Sequence, residues 1–414
     1  MYWTEIPVAE ACLRYARRIF LCLSLVLAWP AYLQAEATPA STIEVWLVTY
    51  GPGEIYWQRF GHNAIWIRDQ DLGLNHVFNF GFFDFEQEAF FRRFLQGKLL
   101  YFSAAQPAER EFSHYIDENR SIRAQRLNLS TDQSLRLAEY LLSEVRPENR
   151  DYLYDYYTNN CSTRIRDALD LALDGKLAEE YQAISAKLSW RDHTRRLTVS
   201  DFWLYLGLET GLGPGVDRKI NRWEEFFIPS ELASAVEKTS VTLNGVGQPL
   251  VLDDVMIYES SLESPPAAVA QWWPRYLLVS VSILFACWLA CFLLPALTPL
   301  RLVRAWLIVA GLVGAALMFF WFFTDHRVAR FNLNLLVFNP LWCFLAVLKQ
   351  KRMAGATLLT LSALALLSPV LLPVQYNLDV LAAVLPLNIA SGLVLFRRPS
   401  RQADQPGAPE AVGQ

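Results

Sequence analysis

Two regimes of polarity divide the chain. Between 276 and 396 five apolar segments follow one another, at 276–294, 302–323, 335–348, 356–374 and 380–396. Each reads as a bilayer-crossing helix, although a span needs about 20 residues, so two are short and the third also carries Asn339-Pro340. From 41 to 264 no such run occurs. Period-two and helical stretches alternate there in a sequence rich in aromatics, which predicts a globular α+β domain. Ahead of it, Arg14, Arg17 and Arg18 precede the apolar stretch 19–29, and Ala35 and Ala37 hold the small-residue positions that a signal peptidase reads. Residues 1–37 are therefore expected to be a cleavable export signal, or an uncleaved anchor, since apolar residues continue past Pro30. The expected organisation is this leader, the α+β domain over 41–264, a linker at Pro265-Pro266, an all-α membrane domain of five transmembrane helices over 272–398, and a cytoplasmic tail over 399–414.

Within the α+β region, 43–49 reads as a strand followed by a Gly51-Pro-Gly53 turn, and 62–67 with 76–80 reads as a hairpin around the polar stretch 70–75. A turn centred between Gln70 and Asp71 sets His62 opposite Asn79, the preferred register; centred at Asp69, it sets His62 opposite His76. Further on, 86–95 and 107–119 read as helices, 99–103 and 122–129 as strands, and Ser130 or Thr131 as the cap of a helix running to 145. Helices are expected at 201–212 and 231–238, and 241–258 as a terminal hairpin about Gly245-Val-Gly247. The most informative stretch is 155–169, where an aromatic run stops at Asn159-Asn160 and Cys161 opens a helix. Ile165, Ala168, Leu169 and Ala172 form its apolar stripe, with the thiol one turn ahead on the same side. Tyr152, Tyr154, Tyr156 and Tyr157 are expected to pack beneath that helix rather than shape a groove.

Charge refines the membrane reading. Arg301, Arg304, Lys349, Lys351, Arg352, Arg397, Arg398 and Arg401 lie in alternate connections or the tail, whereas the other connections between spans hold only Arg327 and Arg330. The positive-inside rule then places 41–264 outside, in a periplasm, and makes the chain a multi-pass protein of a bacterial inner membrane. A formal net charge of −4 over 414 residues, without a basic patch interleaved with aromatics, excludes nucleic acid as a partner. The loop 324–334 crowds polar groups at the membrane edge. His326, Asn332 and Asn334 there are expected to hold a headgroup or ester, or else to be solvated by headgroups.

Of six cysteines, Cys12 and Cys22 fall in the leader and Cys287, Cys291 and Cys343 in apolar runs, which leaves Cys161 without a disulfide partner in the outer domain. A cap from Asn159 or Asn160 would place the thiol at the positive end of a helix, which favours thiolate. His62 opening a strand supplies a base and Asn79 a group to orient it, the parts of a thiol nucleophile site. Amides near Ser162 are the oxyanion donors, with Asn160 and Ser162 as substrate contacts. Metal binding by His62, His76, His114 and His193 is the competing use, but none has paired ligand spacing, and neither a metal nor a cofactor is expected.

The order of His before Cys resembles circularly permuted members of the NlpC/P60 papain-like superfamily, which include lecithin:retinol acyltransferase-like enzymes that form acyl-thioesters. Phe60-Gly-His62-Asn-Ala, Phe78-Asn-Phe-Gly81, Gly97-Lys-Leu-Leu-Tyr101, Asn160-Cys-Ser-Thr163 with Arg166-Asp167, and Asp325-His326 through Asn339-Pro340 resemble the DUF4105 family, that of the periplasmic domain of Lnb-type lipoprotein N-acyltransferases. The resemblance implies a permuted NlpC/P60-like thiol-enzyme domain with a Cys161/His62 site. Its partners would be membrane phospholipid and a lipoprotein substrate, with an acyl chain passing through a Cys161 thioester to an amine. A membrane-anchored cysteine amidase or peptidase acting on cell wall, and a non-catalytic envelope assembly factor, are the other readings; fold alone does not choose among them.

Overall fold

Alternating apolar side chains along the first strand seed a seven-stranded antiparallel sheet that is covered on both faces. The computed structural model describes residues 43–71, 73–243, 245–372 and 374–397. The expected leader with Cys12 and Cys22, and the tail with Arg398 and Arg401, lie outside them. The strands are β1 Ile43–Tyr50, β2 His62–Asp69, β3 Leu74–Phe82, β4 Leu100–Pro107, β5 Ile122–Leu127, β6 Asp151–Leu153, β7 Ser240–Leu243, β8 Val246–Pro249 and β9 Val251–Tyr258. The sheet order is β6-β4-β3-β2-β1-β5-β9. The helices of the outer domain are α1 Phe90–Gln96, α2 Ala108–Asp117, α3 Thr131–Glu144, α4 Cys161–Ala172, α5 Lys176–Tyr181, α6 Trp190–Thr198, α7 Phe202–Gly211, α8 Arg222–Glu225 and α9 Pro229–Lys238. Leu47, Ile65, Phe78 and Phe80 pack with Ile165 and Leu169 of α4 and Leu232 of α9 on one face; Val48, Ala64 and Val77 pack with Tyr115 of α2 on the other. Burial on both sides explains why the central strands lack a solvent-facing polar row.

The β2–β3 register differs from the preferred one by two residues. Ala64 faces Asn79 and Asp69 faces Leu74, so the turn is centred beyond Asp71. Because side chains alternate with period two, this shift keeps Asn79 on the face of His62, as its diagonal neighbour. His76 pairs with Ile67 and points to the opposite face, which removes it as the orienting residue. The expected hairpin over 241–258 is also divided: β7 and β8 form a small hairpin of their own, and β9 joins the edge of the large sheet beside β5.

Among the described residues, four helices are long and apolar enough to cross a membrane: α10 Trp273–Leu293, α11 Pro299–Phe323, α13 Lys351–Leu371 and α14 Leu378–Phe396. The third of the five expected spans is not a continuous helix. It is a turn at Leu333–Leu336 and a short α12, Leu341–Val347, divided at Asn339-Pro340, where proline removes a backbone donor. The loops after α11 and α13 both touch the outer domain, through Asp325 N to Gln96 O at 2.8 Å and Gln375 Nε2 to Leu212 O at 3.2 Å. At 21 residues α13 is about 31 Å long, so its start lies at the far end, and the broken segment carries the chain there. Small residues permit the close packing. A Cβ on Gly311 would lie 2.5 Å from Cys343 Sγ, and one on Gly355 2.7 Å from Gly392 O.

The polar membrane loops dock the bundle onto the outer domain. Asn332 Nδ2 donates to Thr210 O and Gly211 O, and Asn334 Nδ2 to Glu209 O and Thr210 O, so both amides cap the C-terminal carbonyls of α7. Asn332 Oδ1 accepts from Gln375, and Asn334 Oδ1 from Asn377. Both residues are buried, and the headgroup contact expected of them is replaced by this junction. Beneath it Arg195 pairs with Glu209 and lays its guanidinium over Tyr376, while Tyr205 donates to Asp379 of α14 at 2.6 Å.

Candidate active site

The first turn of α4 is built as its sequence suggests. Asn160 Oδ1 accepts from Thr163 N at 2.9 Å while Thr163 Oγ1 accepts from Asn160 N at 2.8 Å, a reciprocal cap that starts the helix at Cys161. Asn160 Nδ2 donates to Tyr156 O and Phe227 O, so both ends of the side chain that was expected to contact substrate are engaged in holding the helix start. Ser162 is buried too, its hydroxyl 2.8 Å from Asn63 Oδ1 and 2.6 Å from Phe226 O; only its backbone amide is turned to the sulfur. Ile165, Ala168, Leu169 and Ala172 fill the core as their spacing predicts.

Helix and sheet meet where β3 bulges between Phe80 and Phe82. Gly81 adopts φ +107 there, and a Cβ on it would stand 3.5 Å from Cys161 Cβ, so the bulge brings the helix start against the strands. The amide of Asn63, next to His62 in β2, is directed at the Cys161 sulfur. His62 Nε2 lies 2.9 Å from Asn79 Oδ1. A carbonyl oxygen only accepts, so Nε2 carries the proton and Nδ1 is the nitrogen left to act as a base. The imidazole stacks with Tyr50 at 5.8 Å and Tyr115 at 6.3 Å. The structure thus joins His62 to Asn79 and sets Cys161 against Asn63 and Gly81, on the two strands that carry this pair.

The electrostatics run against the expected thiolate. Burial pushes the Cys161 thiol up to about 11, outweighing the amides of Asn63 and Ser162 that pull it down. Burial also lowers His62 to about 4, although its bond to Asn79 acts the other way. Near neutrality the pair rests as thiol and neutral imidazole.

Two further residues border this group. Glu111 faces inward from α2 and is buried, as are Ala108 and Tyr115 on the same stripe, and burial raises its carboxyl to about 7 against the favourable pull of Asn79, Tyr50 and Arg120. Arg120 donates from Nε to Gly51 O at 2.9 Å and lies over the Tyr115 ring, and its charge favours thiolate while disfavouring imidazolium. Both escaped the sequence reading, although Glu111 sits on the inward stripe of an amphipathic helix, where a carboxylate is out of place.

The Glu111 shift makes a stability prediction. An unfolded chain releases this proton near 4.5 and the folded one near 7, so stability falls as pH rises between those values, by about 3 kcal/mol at most. Glu111→Gln removes the dependence. The variant is expected to unfold at a higher temperature than the wild type at pH 8 and at a similar one at pH 4.5. Equal differences at both values would show that the carboxyl is not held protonated.

The remaining expected site residues are placed elsewhere. His326 Nε2 lies 2.9 Å from Phe94 O, and its ring stacks on Tyr156 at 6.4 Å, so it ties α1 to the membrane loop. Tyr154 stacks on Tyr101 and Tyr157 on Trp190, the packing role expected of the tyrosine run. Among the described residues, His193 is buried against Glu225 at 2.8 Å and His114 lies 3.6 Å from Glu118.

Residues 31–196 match the Lnb N-terminal periplasmic domain, and residues 300–400 match the Lnb transmembrane domain. No curated protein and no solved structure matches the chain.

Proposed function

Because the chain belongs to the Lnb-type family, with a periplasmic domain and a membrane domain, we propose that it is a thiol acyltransferase working at the periplasmic face of the inner membrane. It would move an acyl chain from a lipid ester to an amine. One observation carries the reading: a thiol at a helix start, set against the strand that carries an oriented histidine, in a domain clamped to a membrane bundle by buried polar contacts. The same placement of helix, sheet, thiol and histidine supports assigning the domain to the permuted NlpC/P60 group.

The chemistry follows from two neutral partners. As the Cys161 sulfur bonds to the ester carbonyl carbon, its proton passes to His62 Nδ1 and the carbonyl oxygen becomes an oxyanion, for which the backbone amides at the start of α4 are donors. Collapse breaks the carbon–oxygen bond. The proton on His62 goes to the departing alkoxide, and the acyl chain remains as a Cys161 thioester. An amine then attacks the thioester carbonyl, and its proton passes through His62 to the sulfur, which releases the amide and restores the thiol. Asn79 keeps the imidazole in the tautomer that leaves Nδ1 free. Starting from a neutral pair suits a lipid substrate, since an apolar site need not solvate a resting ion pair.

The test is intact-protein mass spectrometry of the full chain after incubation with phospholipid vesicles, wild type beside Cys161→Ala. A fatty-acyl adduct removed by hydroxylamine is expected on the wild type alone. Absence of the adduct, together with release of peptidoglycan fragments by the same preparation, would transfer the site to cell-wall amide hydrolysis.

A further inference from the structure

The helix α1 and the rings around it form an apolar surface left exposed among the described residues. None of the seven residues of α1 is buried, Phe91 is 78% exposed, and Phe85 and Trp57 beside it are more than half exposed. A surface of this kind on a water-facing domain marks an interaction site. Its surroundings name the partner. Asp325 N donates to Gln96 O at 2.8 Å and His326 reaches Phe94 O, both at the C-terminal end of α1, and Asp325 follows the last residue of the membrane-spanning α11 by two positions. Gly97, at φ +71, permits the approach, since a Cβ there would lie 2.8 Å from His326 N. The last turn of α11 exposes Phe319, Phe322 and Phe323, a ring belt of the sort that marks a bilayer boundary. A helix tied to that boundary, with Arg92 and Arg93 among its aromatics, matches the composition of a segment lying in the headgroup region.

The surface also leads inward. Phe85 contacts Phe83 at 4.8 Å, Phe83 contacts Tyr101 at 5.3 Å, and Tyr101 stacks on Tyr154 at 4.1 Å. Both tyrosines lie close enough to Cys161 for a charge on its sulfur to be felt at their hydroxyls. We propose that α1, Trp57 and Phe85 are immersed in the leaflet next to the outer domain, and that the strip Phe85-Phe83-Tyr101 leads one acyl chain of an ester-linked glycerolipid from that leaflet to Cys161. The immersion stands on geometry alone; the delivery rests on the reading of Cys161 as acyl acceptor.

The experiment uses the full chain in vesicles of phosphatidylethanolamine carrying a diazirine on one acyl chain, irradiated and mapped by peptide mass spectrometry. Cross-linking needs no thioester, so its outcome is separate from that of the acylation assay. Adducts are expected on the peptide containing Phe85 and Phe91 at a yield within about fivefold of those on the last turn of α11, and also on Tyr101 or Tyr154. Leu171, exposed near the opposite end of the helix that Cys161 opens, should carry none. Adducts confined to α10 through α14 would overturn the immersion, and adducts on Phe91 with none on Tyr101 or Tyr154 would overturn the path. Phe91→Glu with Phe85→Glu should lower the outer-domain yield at least tenfold; an unchanged yield would also overturn the immersion.

Discussion

Replacing His62 by alanine is expected to slow acylation of Cys161 by about 10² to 10⁴-fold, the usual contribution of a general base. The size of the effect follows from the resting charges. With the thiol held up to about 11 and the imidazole down to about 4, no thiolate is waiting, and the proton must leave the sulfur as the new bond forms. The imidazole is neutral above pH 4 and protonated below it, so the rate should fall as pH drops through about 4 and stay level across neutrality. Iodoacetamide reads the thiol separately. At pH 8 a group with pKa near 11 is about 10³-fold short of its fully ionised rate, whereas an ordinary thiol near 8.5 is only about fourfold short. A plateau of alkylation below pH 9, or an acylation rate unaffected by His62→Ala, would sink the neutral-pair mechanism.

Glu209→Ala is expected to lower the stability of the full chain by about 3–5 kcal/mol, because it removes one partner from a buried ion pair. Glu209 is 1% exposed, and its carboxylate holds Arg195 through two nitrogens and lies 3.5 Å from Arg191, itself fully buried. Without it Arg195 loses its carboxylate partner, and Arg191 keeps one carboxylate, Asp217, beside the carbonyls of Leu212 and Gly213. The loss falls on the junction, since the same stretch of α7 receives Asn332 and Asn334 from the membrane loop. Thermal unfolding of the purified chain in detergent would show it. A change below about 1 kcal/mol would mean that the arginines find water or other partners on relaxation.

Much of the site was legible in advance because its clues are local. The Asn160–Thr163 cap, the stripe from Ile165 to Ala172 and the position of Cys161 at their start all follow from residues within a few turns of one another. The shared face of His62 and Asn79 survived an error of two residues in the register, since strand faces depend on parity alone. The proposed thiolate did not survive. A helix end favours the charged form by a modest amount, while the cost of burying that charge depends on how many atoms from distant segments surround it.

By itself the sequence determined the division into an α+β domain and an apolar membrane region, the start of α4 and the residue types of the candidate thiol site, because hydrophobic period and capping are written in neighbouring positions. The tertiary structure alone decided the exclusion of His76, the addition of Glu111 and Arg120, and the use of Asn332 and Asn334 as a cap for α7. Those outcomes turn on which far-separated groups share a buried space. A polar loop such as 324–334 reads alike whether its amides meet a lipid or a helix end, until the helix end is seen to be there.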